Sequence, residues 1–230
     1  RHLDRLISMH VTHLPEKTQD YLKTVWDICE RTGAPAALGK IAEQMGQKTS
    51  TTSEAIKRLT ERGLLVHPKY GGISLTPEGN AFAMAMVRRH RLVEMFLYTT
   101  LGYTWDEVHD EADLLEHAIS DTLLARIDAH LGHPTRDPHG DPIPDVHGSI
   151  ETVAELDLSQ IEPGQTVTVD RIHDRDPELL RYLAEHNIGP GVRITVSTDN
   201  FPGMRVVHVN GTGASVPLAH SSLWAINVHA

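Results

Sequence analysis

Apolar residues recur at helical spacing through the first hundred positions and at a spacing of two after about residue 160. Tyr21, Leu22, Val25, Trp26 and Cys29 form the inward stripe of a helix that Gly33 and Pro35 end. Leu38, Ile41, Ala42 and Met45 predict a second, short helix closed by Gly46. A third, with Ser50 or Thr51 as its cap, turns Ala55, Ile56 and Leu59 inward and stops at Gly63. Leu64-Leu65-Val66 and Ile73-Ser74-Leu75 flank a Gly71-Gly72 turn and predict two short strands. Three helices followed by a hairpin is the winged helix-turn-helix order. Thr76 then caps a long helix with Pro77 in its first turn, carrying Phe82, Val87, Leu92, Val93 and Phe96 to about Leu101. Thr104-x-x-Glu107 reads as the capping box of the next helix, and Ser120 caps another that reaches about Leu131.

Pro134, Pro138, Pro142 and Pro144 mark residues 133–148 as a linker or extended loop, which would leave the rest of the chain a flexible appendage. Beyond it, Val167/Val169, Ile194/Val196, Val207/Val209 and Ile226/Val228 read as strands between turns at Pro163-Gly164, Gly189-Pro190-Gly191, Pro202-Gly203 and Asn210-Gly211. One helix interrupts them, capped by Asp176 and ending near Asn187, so this segment is expected to be a small SH3-like β-barrel. The expected fold is mainly α with a β C-terminal domain: a winged helix-turn-helix over 1–83, a helical segment over 84–150 and the barrel over 151–230.

Composition narrows the chemistry. Apolar residues make up 40% of 230 and no run approaches the roughly 20 residues of a membrane helix. The start, Arg1-His2-Leu3-Asp4-Arg5, has no signal-peptide core, and Cys29 is the one cysteine, which excludes an internal disulfide and multi-cysteine metal sites. A cytoplasmic protein is expected, with no membrane partner. The net charge of −10 is uneven: residues 1–80 sum to +2, residues 81–150 to −7 and residues 151–230 to −5. The first third can face phosphates, while the acidic middle suits cation binding. Lys48, Ser50, Thr51, Thr52 and Ser53 open the third helix, where small hydroxyls and a lysine can approach phosphates and base edges. Lys40, Lys57, Arg58 and Arg62 lie around it, with Lys69 at the wing; Glu54 and Glu61 on the same helix oppose phosphate. The plain structural alternative is a capped, solvated surface helix.

Asp113, Glu116 and His117 stand at i, i+3 and i+4 and so share a helix face. His90 and Glu94 are spaced i, i+4 on the preceding long helix, and His109 can complete a second set with them if the two helices pack antiparallel. The alternative is a solvated acidic face, with Arg88, Arg89 and Arg91 offering ordinary ion pairs. Oxygen donors with imidazole and no thiolate suit a hard divalent ion such as Mn²⁺; Fe²⁺, Co²⁺ or Zn²⁺ can bind in vitro.

These segments together resemble the diphtheria toxin repressor family of metal-dependent regulators. The resemblance rests on Asp20-Tyr21-Leu22, Ile41-Ala42-Glu43, Leu75-Thr76-Pro77-Glu78-Gly79, His90-Arg91-Leu92-x-Glu94, Val108-His109-Asp110-Glu111-Ala112, Glu116-His117 and Gly140-Asp141-Pro142-Ile143-Pro144. Iron-responsive members carry methionine at the Asp20 position and cysteine at the Asp113 position; carboxylates at both places look like the manganese-responsive branch. The resemblance implies a primary site of Asp20, Asp113, Glu116 and His117 and an ancillary site of His90, Glu94 and His109. Some relatives add two barrel ligands to the ancillary site: Arg175 stands where the first would be, and Glu178 matches the second. It further implies a homodimer formed by the middle helices, a palindromic operator, and a metal that ties each reading head to the dimer frame. The function so implied is repression of metal-uptake genes when Mn²⁺ is plentiful.

Other readings are an iron-dependent repressor of the same family, a winged-helix regulator sensing an organic ligand, and a metal-dependent hydrolase or oxygenase. The last lacks a nucleophile motif or phosphate loop, and the organic sensor would need an apolar cavity where the middle segment offers carboxylates and histidines.

Overall fold

The computed structural model describes residues 10–153 and 156–229, so the reading of the first five residues lies outside the described part. The chain divides into two compact units, residues 1–89 with 144–149 and residues 90–143 with 150–230.

In the first unit, α1 (Glu16–Thr32), α2 (Leu38–Gln44) and α3 (Thr49–Glu61) precede a hairpin of β1 (Leu65–Val66) and β2 (Ser74–Leu75). Leu22, Val25, Ile41 and Ile56 are fully buried, as their spacing requires. Gly33 ends α1 in the left-handed region, where a Cβ is strained. Ala36 adds a short third edge to the wing by exchanging backbone hydrogen bonds of 2.8 Å with Ile73. Helix α3 begins earlier than its hydroxyls suggested: Lys48 is the N-cap and makes no side-chain cap. Ser50 and Thr51 therefore lie in the first turn and remain exposed, as do Lys48, Ser53, Lys57 and Arg58. Thr52 does not. At 0% exposure it falls on the inner face, beside the buried Ala55, Ile56 and Leu59, which removes it from the DNA-facing set.

Thr76 caps α4 (Pro77–Leu101) by accepting from the Gly79 amide at 3.0 Å, and its hydroxyl reaches the Gly63 carbonyl at 2.8 Å. Gly79 is required there by close approach, because a Cβ would stand 2.0 Å from the Leu64 carbonyl oxygen.

In the second unit, the later part of α4 packs with α5 (Val108–Leu115) and α6 (Asp121–His130) around Leu92, Val93, Leu97, Val108, Ala112 and Ile127. Thr104 and Glu107 do bond to each other, at 3.0 and 2.7 Å, but they close a turn before α5 rather than cap its first residue. Helix α5 ends at Leu115, so Glu116 is its C-cap and His117 lies just past it. The barrel is a five-stranded antiparallel sheet ordered β6-β5-β4-β3-β7 (β3 Thr166–Ile172, β4 Arg193–Phe201, β5 Met204–Val209, β6 Ser215–Ala219, β7 Ile226–His229), with α7 (Pro177–Glu185) between β3 and β4. Asp176 caps α7 as expected, at 3.1 Å from the Glu178 and Leu179 amides. Strand β6 contains Pro217 and occupies the sheet edge, where a missing N–H is tolerated.

The proline-rich stretch is no free linker. Asp137, His139, Asp141 and Ile143 are buried. The Ile172 amide of β3 donates to the His139 carbonyl at 2.9 Å, and Arg136 binds Asp170 at 3.0 Å. The indole of Trp105 donates to the Leu180 carbonyl of α7 at 3.0 Å. The strap turns back on itself at residues 137–140, with Arg136 bridged antiparallel to Pro142, and the barrel is fastened to the helices of this unit through it. No helix among the described residues is long and apolar enough to cross a membrane.

Packing at two positions can be tested directly. The Thr52 hydroxyl is buried with no hydrogen-bond partner among the described residues. Thr52→Val is expected to raise the stability of the first unit by about 1 kcal/mol in urea unfolding. Gly140 has φ +91°, and a Cβ there would meet the Asp170 carbonyl at 2.3 Å. Gly140→Ala is expected to cost about 2 kcal/mol or more, read by thermal unfolding, with the strap amides losing hydrogen-exchange protection.

Candidate metal centre

The site grows from the buried end of α4 in the second unit. An i, i+4 spacing places His90 and Glu94 on one face, and both are almost fully buried. The His90 ring is engaged on both sides. Its Nδ1 lies 2.6 Å from Glu116 Oε2 and 3.2 Å from Asp113 Oδ1. Its Nε2 lies 3.0 Å from Glu94 Oε1 and 3.2 Å from His109 Nδ1. His109, on α5, also stands 3.5 Å from Glu94 and 3.0 Å from Asp174 of the barrel.

Three sets in this unit hold ligand atoms within 4.8 Å of one another: His90, Glu94, His109 and Asp174; His90, Asp113 and Glu116; and Glu94, Asp137 and His139. The structure thus brings together His90, Glu94 and His109, and separately Asp113 and Glu116 with His90. His117 adjoins the second set, with Nε2 3.7 Å from Glu116 Oε1. Asp20 lies in the other unit, on the partly buried face of α1, with Lys17 at 3.5 Å. Glu178 is not brought in: it is exposed on the first turn of α7. The loop before that helix presents Asp174 instead, because Asp176 is committed to capping and Arg175 is itself a cation.

Asp137, His139 and Asp174 escaped the sequence reading. Asp137 uses Oδ1 to accept the His139 and Asp141 amides, each at 2.9 Å, which folds the strap into a tight loop. His139 Nε2 donates to the Trp105 carbonyl at 2.6 Å. That bond engages Nε2 and leaves Nδ1 turned to the interior, where Glu94, Asp137 and Asp174 raise the ring's pKa against the effect of burial. His139 is fully buried, and Nδ1 has no hydrogen-bond partner among the described residues. Both Glu94 oxygens are also buried without a well-formed hydrogen bond. Buried ligand-type atoms without hydrogen-bond partners, gathered within 4.8 Å of one another with Asp137, fit a cation that would displace the protons, since burial without compensation is costly. The signal that could have found them was Asp137-Pro138-His139-Gly140-Asp141, in which three ligand-type side chains interrupt a proline run.

Electrostatics agrees with a cation-seeking centre. Burial would raise the Glu94 carboxyl, but His90, His109 and His139 together hold it below the usual carboxylate range. Burial would lower His109, yet Asp174 and Glu94 hold it up to about 10. Asp137 is raised to about 8 by burial, by Asp141 and by Glu94, with His139 and Arg91 opposing. Arg91 and Arg171 flank the strap: Arg91 donates to the Pro142 carbonyl at 2.5 Å, and Arg171 binds Asp141 at 3.0 Å. Asp141 is therefore occupied as a structural anion.

The DNA-facing candidates lie in the first unit. Ser50, Thr51, Ser53, Lys57 and Arg58 are exposed on α3, and Lys48 is exposed at its N-cap. Lys40, on α2, pairs with Glu43 at 3.0 Å, and Lys69 lies over the exposed Tyr70 ring at the wing.

Comparison with known proteins matches each segment. Residues 13–73 match the iron dependent repressor N-terminal DNA binding domain, residues 76–145 the iron dependent repressor metal binding and dimerisation domain, and residues 156–228 the FeoA domain. The chain is 31% identical over 228 residues to the iron-dependent repressor IdeR of Mycobacterium leprae, covering 94% of this chain and 97% of that protein. A solved manganese-dependent transcriptional repressor in complex with manganese is 47% identical, with a TM-score of 0.85 over 92% of this chain and 98% of its own. The structure of ScaR with bound Zn²⁺ is 31% identical, with a TM-score of 0.77 over 92% and 98%. The described elements, the buried imidazole–carboxylate centre and these matches place the chain in the iron-dependent repressor family, that of the diphtheria toxin repressor.

Proposed function

We propose that this protein is a manganese-responsive transcriptional repressor of metal-homeostasis genes that binds a palindromic operator as a cytoplasmic homodimer. Members of its family are DNA-binding transcriptional repressors, not enzymes. The observation that carries the manganese reading is the donor set: carboxylates and imidazoles gather around His90 and His139, and no thiolate is among them. Such a set suits a hard divalent ion, although later transition metals bind the same donors tightly. When bound, the metal supplies positive charge where Glu94, Glu116 and Asp137 are buried. His90, Glu94, His109, Asp113, Glu116, Asp137, His139 and Asp174 are the residues that would hold it, with the His109 ring and the Asp137 carboxyl giving up protons as it enters.

The homodimer reading is supported by the exposure of Leu101, Leu114 and Leu123, at 56%, 73% and 50%, in the segment matched to a dimerisation domain. Asp20 and His117 are proposed as ligands on the strength of their motif positions. A metal that takes Asp20 as a ligand restrains the reading head, so metal and DNA must tighten each other's binding.

Metal titration with and without operator DNA tests the function. Mn²⁺ is expected to raise operator affinity at least ten-fold in fluorescence anisotropy, and DNA to raise Mn²⁺ affinity by the same factor. A larger response to Fe²⁺ at equal saturation would favour the iron reading, and no response to any metal would overturn both. Because His109 and Asp137 are held protonated near pH 7 in the metal-free centre, Mn²⁺ affinity is expected to rise between pH 6 and 8. Calorimetry in buffers of different ionisation enthalpy should report net proton release.

Asp20→Ala is expected to abolish Mn²⁺-dependent operator binding while sedimentation still shows the dimer. Lys48→Ala is expected to weaken DNA binding and reduce its salt slope by about one, leaving metal affinity intact.

A further inference from the structure

Helix α3 advances about 100° per residue, so its exposed and buried faces can be placed around its axis. Thr52, Ala55, Ile56 and Leu59 occupy the buried side. Glu54 stands close to the middle of the opposite side, one turn after Ser50 and Thr51 and one turn before Lys57 and Arg58. It is exposed, and neither cation one turn ahead engages it: Lys57 leans to Glu61 instead, at 3.9 Å. Among the described residues Glu54 has no ion pair, while Glu43, Glu61 and Asp27, also in this unit, each have one.

A bare carboxylate at the centre of a DNA-facing helix is repelled by phosphate. It is equally repelled by the acceptor atoms that guanine, adenine and thymine present in the major groove, namely N7, O6 and O4. The one base whose major-groove edge is donor without an adjoining acceptor is cytosine, through its N4 amino group; adenine offers N6 but sets N7 beside it. Ser50 and Thr51, small and one turn away, allow the helix start to come close to the groove floor. Lys57 and Arg58 flank the carboxylate on its other side, where they can meet the phosphates and offset its charge.

We propose that Glu54 is a specificity-determining residue that accepts a hydrogen bond from a cytosine N4 amino group and so fixes one C·G pair in each operator half-site. This rests on the reading of the chain as an operator-binding protein with α3 in the major groove. Glu54 then acts in two ways. It selects cytosine, and it penalises every other base at that position, which lowers affinity for unrelated DNA.

The test is selection of binding sites from random double-stranded DNA by the full chain with Mn²⁺, run in parallel for the unaltered protein, Glu54→Gln and Glu54→Ala. Both substitutions lie on an exposed helix face and leave the packed side of α3 untouched. The unaltered protein is expected to select cytosine at one symmetry-related position per half-site. Glu54→Ala should lose that preference alone, with discrimination there falling on the order of ten-fold and affinity for scrambled DNA rising. Glu54→Gln should shift the same position toward adenine, which a carboxamide can meet at N6 and N7. Identical selected sequences for all three proteins would overturn the proposal, as would a uniform gain of affinity in both variants with no change at any base. Failure of the unaltered protein to enrich any sequence would instead overturn the operator-binding reading, and the proposal with it.

Discussion

Burial of carboxylates beside imidazoles, away from water, is the constraint on which the second unit is built. Glu94 and Glu116 are at most 1% exposed, and Asp137 and Asp141 are buried beside them. An uncompensated buried carboxylate is costly, so each must find a cation, a proton or a backbone donor. The fold uses all three. Arg171 neutralises Asp141, the strap amides satisfy one oxygen of Asp137, and His90 and His109 lie against Glu94 and Glu116. The remainder is specific: Nδ1 of His139 and the oxygens of Glu94, buried without a well-formed hydrogen bond and grouped with Asp137. A divalent ion would complete that arrangement, and its protein substitute is protons, which is why His109 and Asp137 titrate so far from their ordinary values.

The strap explains why the barrel matters to this centre. Asp137 folds the chain back on itself, Gly140 allows the approach to β3, and the Trp105 carbonyl locks the His139 ring by accepting its N–H. The same segment carries the ligand side chains and the hydrogen bonds that fasten the sheet. Asp174, in the loop after β3, closes on His109 from the barrel side. A substitution that loosens the strap therefore moves ligands from two sequence regions at once, and it acts through positioning rather than through loss of a donor atom.

Much of this was legible in the chain. Helical spacing located α1, α2, α4 and α6, and the i, i+4 pair of His90 and Glu94 stood out because few residue types can serve a cation from a buried helix face. Residues 133–148 were misread because proline density marks a departure from helix and strand without saying whether the segment is free or packed; only the fold shows that Asp137 and His139 point inward. Glu178 matched by register but belongs to a helix turn that faces solvent, while Asp174 lies in a loop whose direction no periodicity encodes. Thr52 was grouped with its exposed neighbours by residue type, although it stands three, four and seven residues before Ala55, Ile56 and Leu59 and so belongs to their inward face. Strand β6 was hidden by Pro217, which reads as a breaker unless the strand is known to lie at an edge.

The charge distribution connects the two units without any appeal to geometry. A surplus of only +2 over residues 1–80, against −10 for the whole chain, provides little phosphate attraction. For the proposed operator-binding protein, sequence-independent binding by one reading head is then weak at physiological salt. In the proposed homodimer, affinity would come from two heads engaging successive grooves together, and that gain would depend on how narrowly the spacing of the heads is restrained. A strongly basic head would bind whether or not its spacing was fixed, and a metal could change little. A weakly charged head leaves the outcome to the restraint, so a cation held by a few buried side chains has leverage over the whole interaction. Under the proposed function, the low net charge of the first unit and the crowded carboxylates of the second would act as two halves of one device.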